Sequence, residues 1–264
     1  MSDSDSPVLG PEALRAACRV GTFDGPTSGL APGFVQANMV ILPASHAEAF
    51  ARFCALNPGP CPLLEVLAPG DPVPARIAPG ADVRHDLPRY RVFRDGEVSA
   101  EPTDIADLWR DDLVCFMLGC SFIAEQALSD AGLALPHIAE TGFVPMYRTT
   151  IACLPAPPFH GTMVVSMRPF TPDDTLRASD ITAHYPMAHG APIHVGDPAA
   201  IGINDLAAPE FGQPVTLRPG EQPVFWPCGV TPQEAIANAR PPLAITHAPG
   251  HMFVADLTAE ATRV

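Results

Sequence analysis

The sequence predicts an α/β protein with a mixed sheet flanked by helices, and a second, smaller α+β region. Three observations carry this. Val35–Leu42, a capped helical pattern and Leu63–Leu67 read in order as strand, helix, strand. Further apolar runs of strand length recur at Tyr90–Phe93, Gly161–Arg168, Pro223–Trp226 and Leu243–Thr246. The Pro-rich stretch Cys153–Phe159 marks a change of subdomain. The expected division is therefore 1–150 with 245–264 as the α/β domain, and 151–244 as the smaller α+β domain.

Taken in order, residues 1–8 read as a mobile tail. Pro11–Arg19 has apolar residues at helical spacing, with Pro11 suited to a first turn. The segment from Gly21 to Gly33 is loop. Ser45 and Glu48 form a capping box for a helix from His46 to Leu56, which stops before Asn57-Pro58. Residues 68–88, dominated by Pro, Gly and Asp, read as a surface excursion. Asp95-Gly96 joins a hairpin. Thr103–Arg110 and Asp112–Leu118 read as short helices, although Leu113–Leu118 is equally compatible with a buried strand. A further helix runs to Asp130, with Gly132 as its stop, and another spans Asp173–His184. Thr231-Pro232-Gln233-Glu234 has the form of a capping box opening a helix that Pro241-Pro242 end.

Composition bounds the chemistry. A net charge of −14, from 29 acidic and 15 basic residues, argues against nucleic acid and anionic membrane as partners. All the basic residues are Arg, so lysine Schiff bases, lysine-bound pyridoxal phosphate and a Walker A lysine are excluded. The seven Cys, an odd number without paired spacing, read as reduced thiols. With no signal-like start and no apolar run near ~20 residues, the expected setting is cytoplasmic. The expected partner is a small-molecule carboxylate; the sequence leaves the cofactor unknown, and a homo-oligomer is compatible with it.

Two turns stand out: His189-Gly-Ala-Pro-Ile-His194, and His247-Ala-Pro-Gly-His251. Pro and Gly keep both from being helical, so they place imidazoles on rigid loops. Three readings stay open: turn-holding side chains, general acids and bases, or metal ligands with Asp197 or Asp256. Arg148 and Arg168, each at the end of an apolar segment, are the available carboxylate clamps, or else surface ion-pair partners. In the strand reading of Leu113–Leu118, Gly119-Cys120-Ser121 resembles a nucleophile elbow. Ile123 stands where that pattern has its last Gly, so Ser121 is read instead as a helix N-cap. Glu125 lies one turn further on, either exposed or facing the same cleft. Cys228 precedes a helix start, where a thiol is either activated or simply packed.

The motifs LGCSF, MYRT, FHGTMVVSMRP, HGAPIHVGDP, IGINDL, PVFWPCGVTPQ and ITHAPGHMFVAD, in this order, resemble the bacterial hydro-lyase family, also called D-glutamate cyclase-like. The resemblance covers nearly the whole chain. It departs at Thr150, where Asn is usual, and at Ile123-Ala124, where Ser-Phe is usual. It implies a two-part α/β protein that adds or removes water at a carbon–oxygen bond. The expected mechanism has Arg148, Arg168 and the helix start at Thr231 holding a carboxylate. His189 or His247 would abstract a proton and His194 or His251 protonate the leaving hydroxyl, with Cys228 and Glu125 lining the site. A metal-dependent hydrolase or isomerase, and a non-catalytic small-acid-binding protein, are the alternatives.

Overall fold

Continuous apolar runs form strands when both sheet faces are covered, because successive side chains then bury on opposite sides. The computed structural model describes residues 10–140 and 143–264; the expected tail at 1–8 lies outside them. Helix α1 (Pro11–Arg19) leads to strand β1 (Phe34–Pro43), helix α2 (Ala44–Leu56) and strand β2 (Leu63–Val66). The hairpin β3 (Tyr90–Arg94) and β4 (Glu97–Ala100) turns at Asp95-Gly96, both with positive φ. Then come β5 (Leu113–Leu118), α3 (Phe122–Asp130), α4 (Pro136–Glu140), β6 (Met146–Ala152), β7 (Thr162–Phe170) and α5 (Pro172–Ala183). The rest is β8 (His194–Val195), β9 (Gln222–Pro227), α6 (Thr231–Ala239), β10 (Ala244–His247) and β11 (Phe253–Thr258).

The larger sheet runs β2-β5-β1-β10-β3-β4, with β11 also pairing β1; the smaller runs β6-β7-β9-β8. Neighbouring strands are antiparallel throughout. The β1–α2–β2 unit read from the sequence keeps its two strands in the same direction, but β5 lies between them and pairs with both. The α/β class therefore stands, while the sheet's direction alternates strand by strand.

β5 shows why periodicity left its structure open. Leu113, Cys115 and Met117 enter one core, and Val114, Phe116 and Leu118 enter the other. On the second of these faces α2 packs Phe50 edge-on against Phe116 and Phe159, with ring centroids 4.9 and 5.1 Å apart. Burying a ring of this size contributes about 1.5–3 kcal/mol. On the other face Ile77, Ala78, Ala81, Val83 and Leu87 cover the sheet. The expected surface excursion at 68–88 is thus a core layer. Its backbone is satisfied locally: Glu65 accepts from the N–H groups of Arg76 and Ile77, and Tyr90 Oη donates to the Val83 carbonyl.

The first expected helix of the 103–118 stretch reduces to a 3-10 turn at Ala106–Leu108. Neither expected capping box forms. Helix α2 starts one residue before Ser45, whose hydroxyl meets Nδ1 of His46. At α6, Thr231 Oγ1 instead accepts from the Val164 N–H at 3.0 Å, pinning the helix start to β7. Glu234 turns outward to Arg148.

Candidate active site

The two sheets meet where two strand–turn–helix junctions come together, β5 into α3 and β9 into α6. Asn38, in the middle of β1, joins them. Its Nδ2 donates to the Gly119 carbonyl at 2.7 Å, and a Cβ on Gly229 would sit 2.1 Å from the same nitrogen. Around this contact is a cavity of about 60 Å³ whose wall includes Asn38, Cys120, Ser121, His189, Cys228 and His247.

His189 and His247, 58 positions apart in the chain, are therefore brought together. His189 has a left-handed backbone, φ 76°, in the turn that follows Pro186–Ala188. A side-chain-bearing residue pays roughly 1–2 kcal/mol for that conformation, a strain often found at functional sites. The His189 Nδ1 is 2.8 Å from the Gly59 carbonyl, and the His247 Nδ1 is 2.8 Å from the Ala248 carbonyl. A carbonyl only accepts, so both Nδ1 atoms carry the proton and each Nε2 keeps its lone pair. The Nε2 of His247 is buried with no hydrogen-bond partner among the described residues.

Burial pushes both imidazoles down to about 4. Each carbonyl contact opposes this, and nearby charge adds to it: Arg168 for His189, His251 and Arg91 for His247. The folded values lie below the unfolded value near 6.5, so between these limits the unfolded chain binds more protons. Stability present above pH 6.5 is lost as pH falls toward 4, by about 2 kcal/mol for each histidine at pH 5. Urea titrations at pH 7.5 and pH 5 should show this loss, reduced in His247→Gln. An unchanged pH dependence in that variant overturns burial of a neutral His247.

The other expected residues divide. Arg168, 2% exposed, is the hub beneath the cavity wall. Its Nη2 donates to Glu125 Oε1 at 2.5 Å and to Ser121 Oγ at 3.1 Å, and its Nη1 donates to Ser166 Oγ at 3.1 Å. The guanidinium also lies 5.6 Å from the Trp226 ring centroid. Burial alone would raise the Glu125 carboxyl, but Arg168 and His137 outweigh it and hold it at about 2. Cys120 and Cys228 are pushed by burial up to about 12 and about 11, so both are neutral thiols.

Arg148 is held on the surface by a two-point pairing with Glu234 at 2.8 Å and lies 5.1 Å from the Phe211 ring centroid. Thr231 is committed to β7. Neither lines the cavity. His194 holds its own turn, with Nε2 2.7 Å from the Asp197 carbonyl and its ring beside Phe225. His251 likewise has Nδ1 2.8 Å from the Pro249 carbonyl. Among the described residues, no three His, Cys, Asp or Glu are grouped to hold a metal ion. Asn38 and Gly119 were not read as site residues. The available signal for Asn38 was that it and Gln36 are the two amides in a strand whose other residues are apolar.

The family model described as D-glutamate cyclase matches residues 114–256, from β5 to β11. The chain is similar to proteins named "Putative hydro-lyase" in several bacteria. That of Bordetella petrii is 57% identical over 243 residues, 92% of this chain and 92% of that protein. That of Rubrobacter xylanophilus is 57% identical over 94% of this chain and 95% of that protein. A relative from Bacillus licheniformis is 53% identical over 95% of each.

Proposed function

Because this chain belongs to the D-glutamate cyclase family and is an enzyme of the hydro-lyase type, we propose that it moves water at a carbon–oxygen bond of a small, amino-acid-derived carboxylate. D-glutamate is the first substrate to test. Closing glutamate to its five-membered lactam expels one water: the oxygen comes from the γ-carboxylate and two protons come from the ammonium. The names cyclase and hydro-lyase thus describe compatible chemistry.

The observation that carries the reading is the convergence of His189 and His247 on one cavity, each with Nδ1 fixed and Nε2 able to accept a proton. A substrate carboxylate near either ring favours its protonated form. Each can then take a proton from the substrate and return it to the departing hydroxyl. The N-terminal ends of α3 and α6 open beside Ser121 and Gly229, and their positive ends favour the carboxylate.

The test is incubation with D-glutamate, and separately with its lactam, followed by mass spectrometry. His189→Gln and His247→Gln are each expected to lose at least about 100-fold in turnover. Unchanged turnover in both variants overturns the histidine assignment. Absence of any conversion, with tight binding of the acid, favours the non-catalytic binding reading instead.

A further inference from the structure

The motif that the histidine mechanism leaves unused is Gly119-Cys120-Ser121. The structure settles its local context: β5 ends at Leu118, the three residues turn, and α3 begins at Phe122. Ser121 holds the N-cap position of α3, yet its side chain makes no cap hydrogen bond. Instead its Oγ accepts from Arg168 Nη2 at 3.1 Å. An oxygen that accepts there keeps its own proton for another partner. Ser121 also lines the cavity shared with His189 and His247. His247 is one of its lining residues, and its buried Nε2 has no hydrogen-bond partner among the described residues.

We propose that Ser121 is a nucleophile in this cavity, forming an acyl-serine with a γ-lactam or related acyl substrate, with a histidine Nε2 as base. The arrangement has the parts nucleophilic catalysis needs. A hydroxyl sits on a strand–turn–helix junction, a neutral imidazole is oriented through Nδ1, and fixed positive charge lies behind the oxygen. Arg168 supplies that charge and Glu125 holds Arg168 in place. The two neighbouring thiols, kept protonated by burial, are poorer candidates.

In the lactam-opening direction, Ser121 Oγ bonds to the carbonyl carbon as its proton passes to the imidazole. The ring C–N bond then breaks and the amine nitrogen takes that proton. Water next attacks the ester carbon, giving up a proton to the imidazole. The ester C–O bond to serine breaks, and the proton returns to Oγ, leaving a carboxylic acid that ionises. Ring closure is the same sequence reversed, with one water released and no redox partner required.

This rests on the water-transfer reading above, but its test is separable from it. The full-length protein is treated with a fluorophosphonate and measured by intact and peptide mass spectrometry. One adduct is expected, on Ser121, with labelling at least about 100-fold slower in His247→Gln or His189→Gln. Failure of the unsubstituted protein to label, or a label placed elsewhere, overturns the proposal without any variant having to fold. Ser121→Ala is expected to lose turnover of the lactam at least about 100-fold with its melting temperature retained; unchanged turnover also overturns it. Labelling at Ser121 without conversion of D-glutamate or its lactam would leave the nucleophile standing and remove that substrate. Conversion with normal turnover in Ser121→Ala would do the reverse.

Discussion

Replacing Arg168 with alanine is expected to destabilise the fold by about 3–5 kcal/mol, because it strands a buried carboxylate. Arg168 and Glu125 are both buried, and their contact is 2.5 Å. Without the guanidinium, Glu125 loses its arginine partner and keeps the contact with His137 Nε2 at 3.0 Å. The same change removes the donor to Ser121 and the cation beside Trp226. Urea unfolding at pH 7 measures the loss. The double variant Arg168→Met, Glu125→Gln should recover part of it, since neither charge is then left alone. A single-variant loss below about 1 kcal/mol, or no recovery in the double, would show that the pair does not hold the fold here.

Gly119→Ala is expected to cost about 3 kcal/mol and to disable the site along with the fold. The added Cβ would lie 1.7 Å from the Met187 carbonyl oxygen, and backbone cannot swing aside as a side-chain tip can. Met187 belongs to the 3-10 turn leading directly into His189, so relieving the clash displaces a proposed base. Gly132→Ala provides the contrast. Its φ is +75° but nothing lies within 4 Å of the added atom, so the cost there is only the roughly 1–2 kcal/mol of a left-handed backbone. Chemical denaturation of the two variants should separate them by at least about 1 kcal/mol. Equal losses would mean the turn yields to the methyl group.

Helices α1, α2 and α5 were legible from their apolar spacing and capping residues, and β1, β7 and β10 as apolar runs edged by Pro or Gly; all six lie within a residue or two of their expected positions. β5 was not resolvable because all six of its residues are buried, which erases any period. The 68–88 layer was unreadable for a different reason. Its apolar residues sit in irregular backbone, and their burial depends on a sheet assembled from distant strands. Thr231 and Glu234 had the residue types of a capping box, but Val164 and Arg148 offered them tertiary partners. For the candidate site, the paired His-rich turns were visible in the sequence. Their first histidines, His189 and His247, line the cavity, and their second, His194 and His251, do not, a difference that the spacing of the turns does not encode. Ser121 was identifiable as a candidate only by accepting the strand reading of β5.

The order of strands in the larger sheet also has a consequence for biosynthesis. β10 lies between β1 and the β3–β4 hairpin, pairing Val40 with Thr246 on one side and Val92 with Ile245 on the other. As the chain emerges from the ribosome, the hairpin has no lateral partner in this sheet until residue 247 has been made. Such long sequence separations slow folding. His247, at the end of that inserted strand, therefore enters the cavity only as the gap closes, so partly synthesised chains lack a complete site.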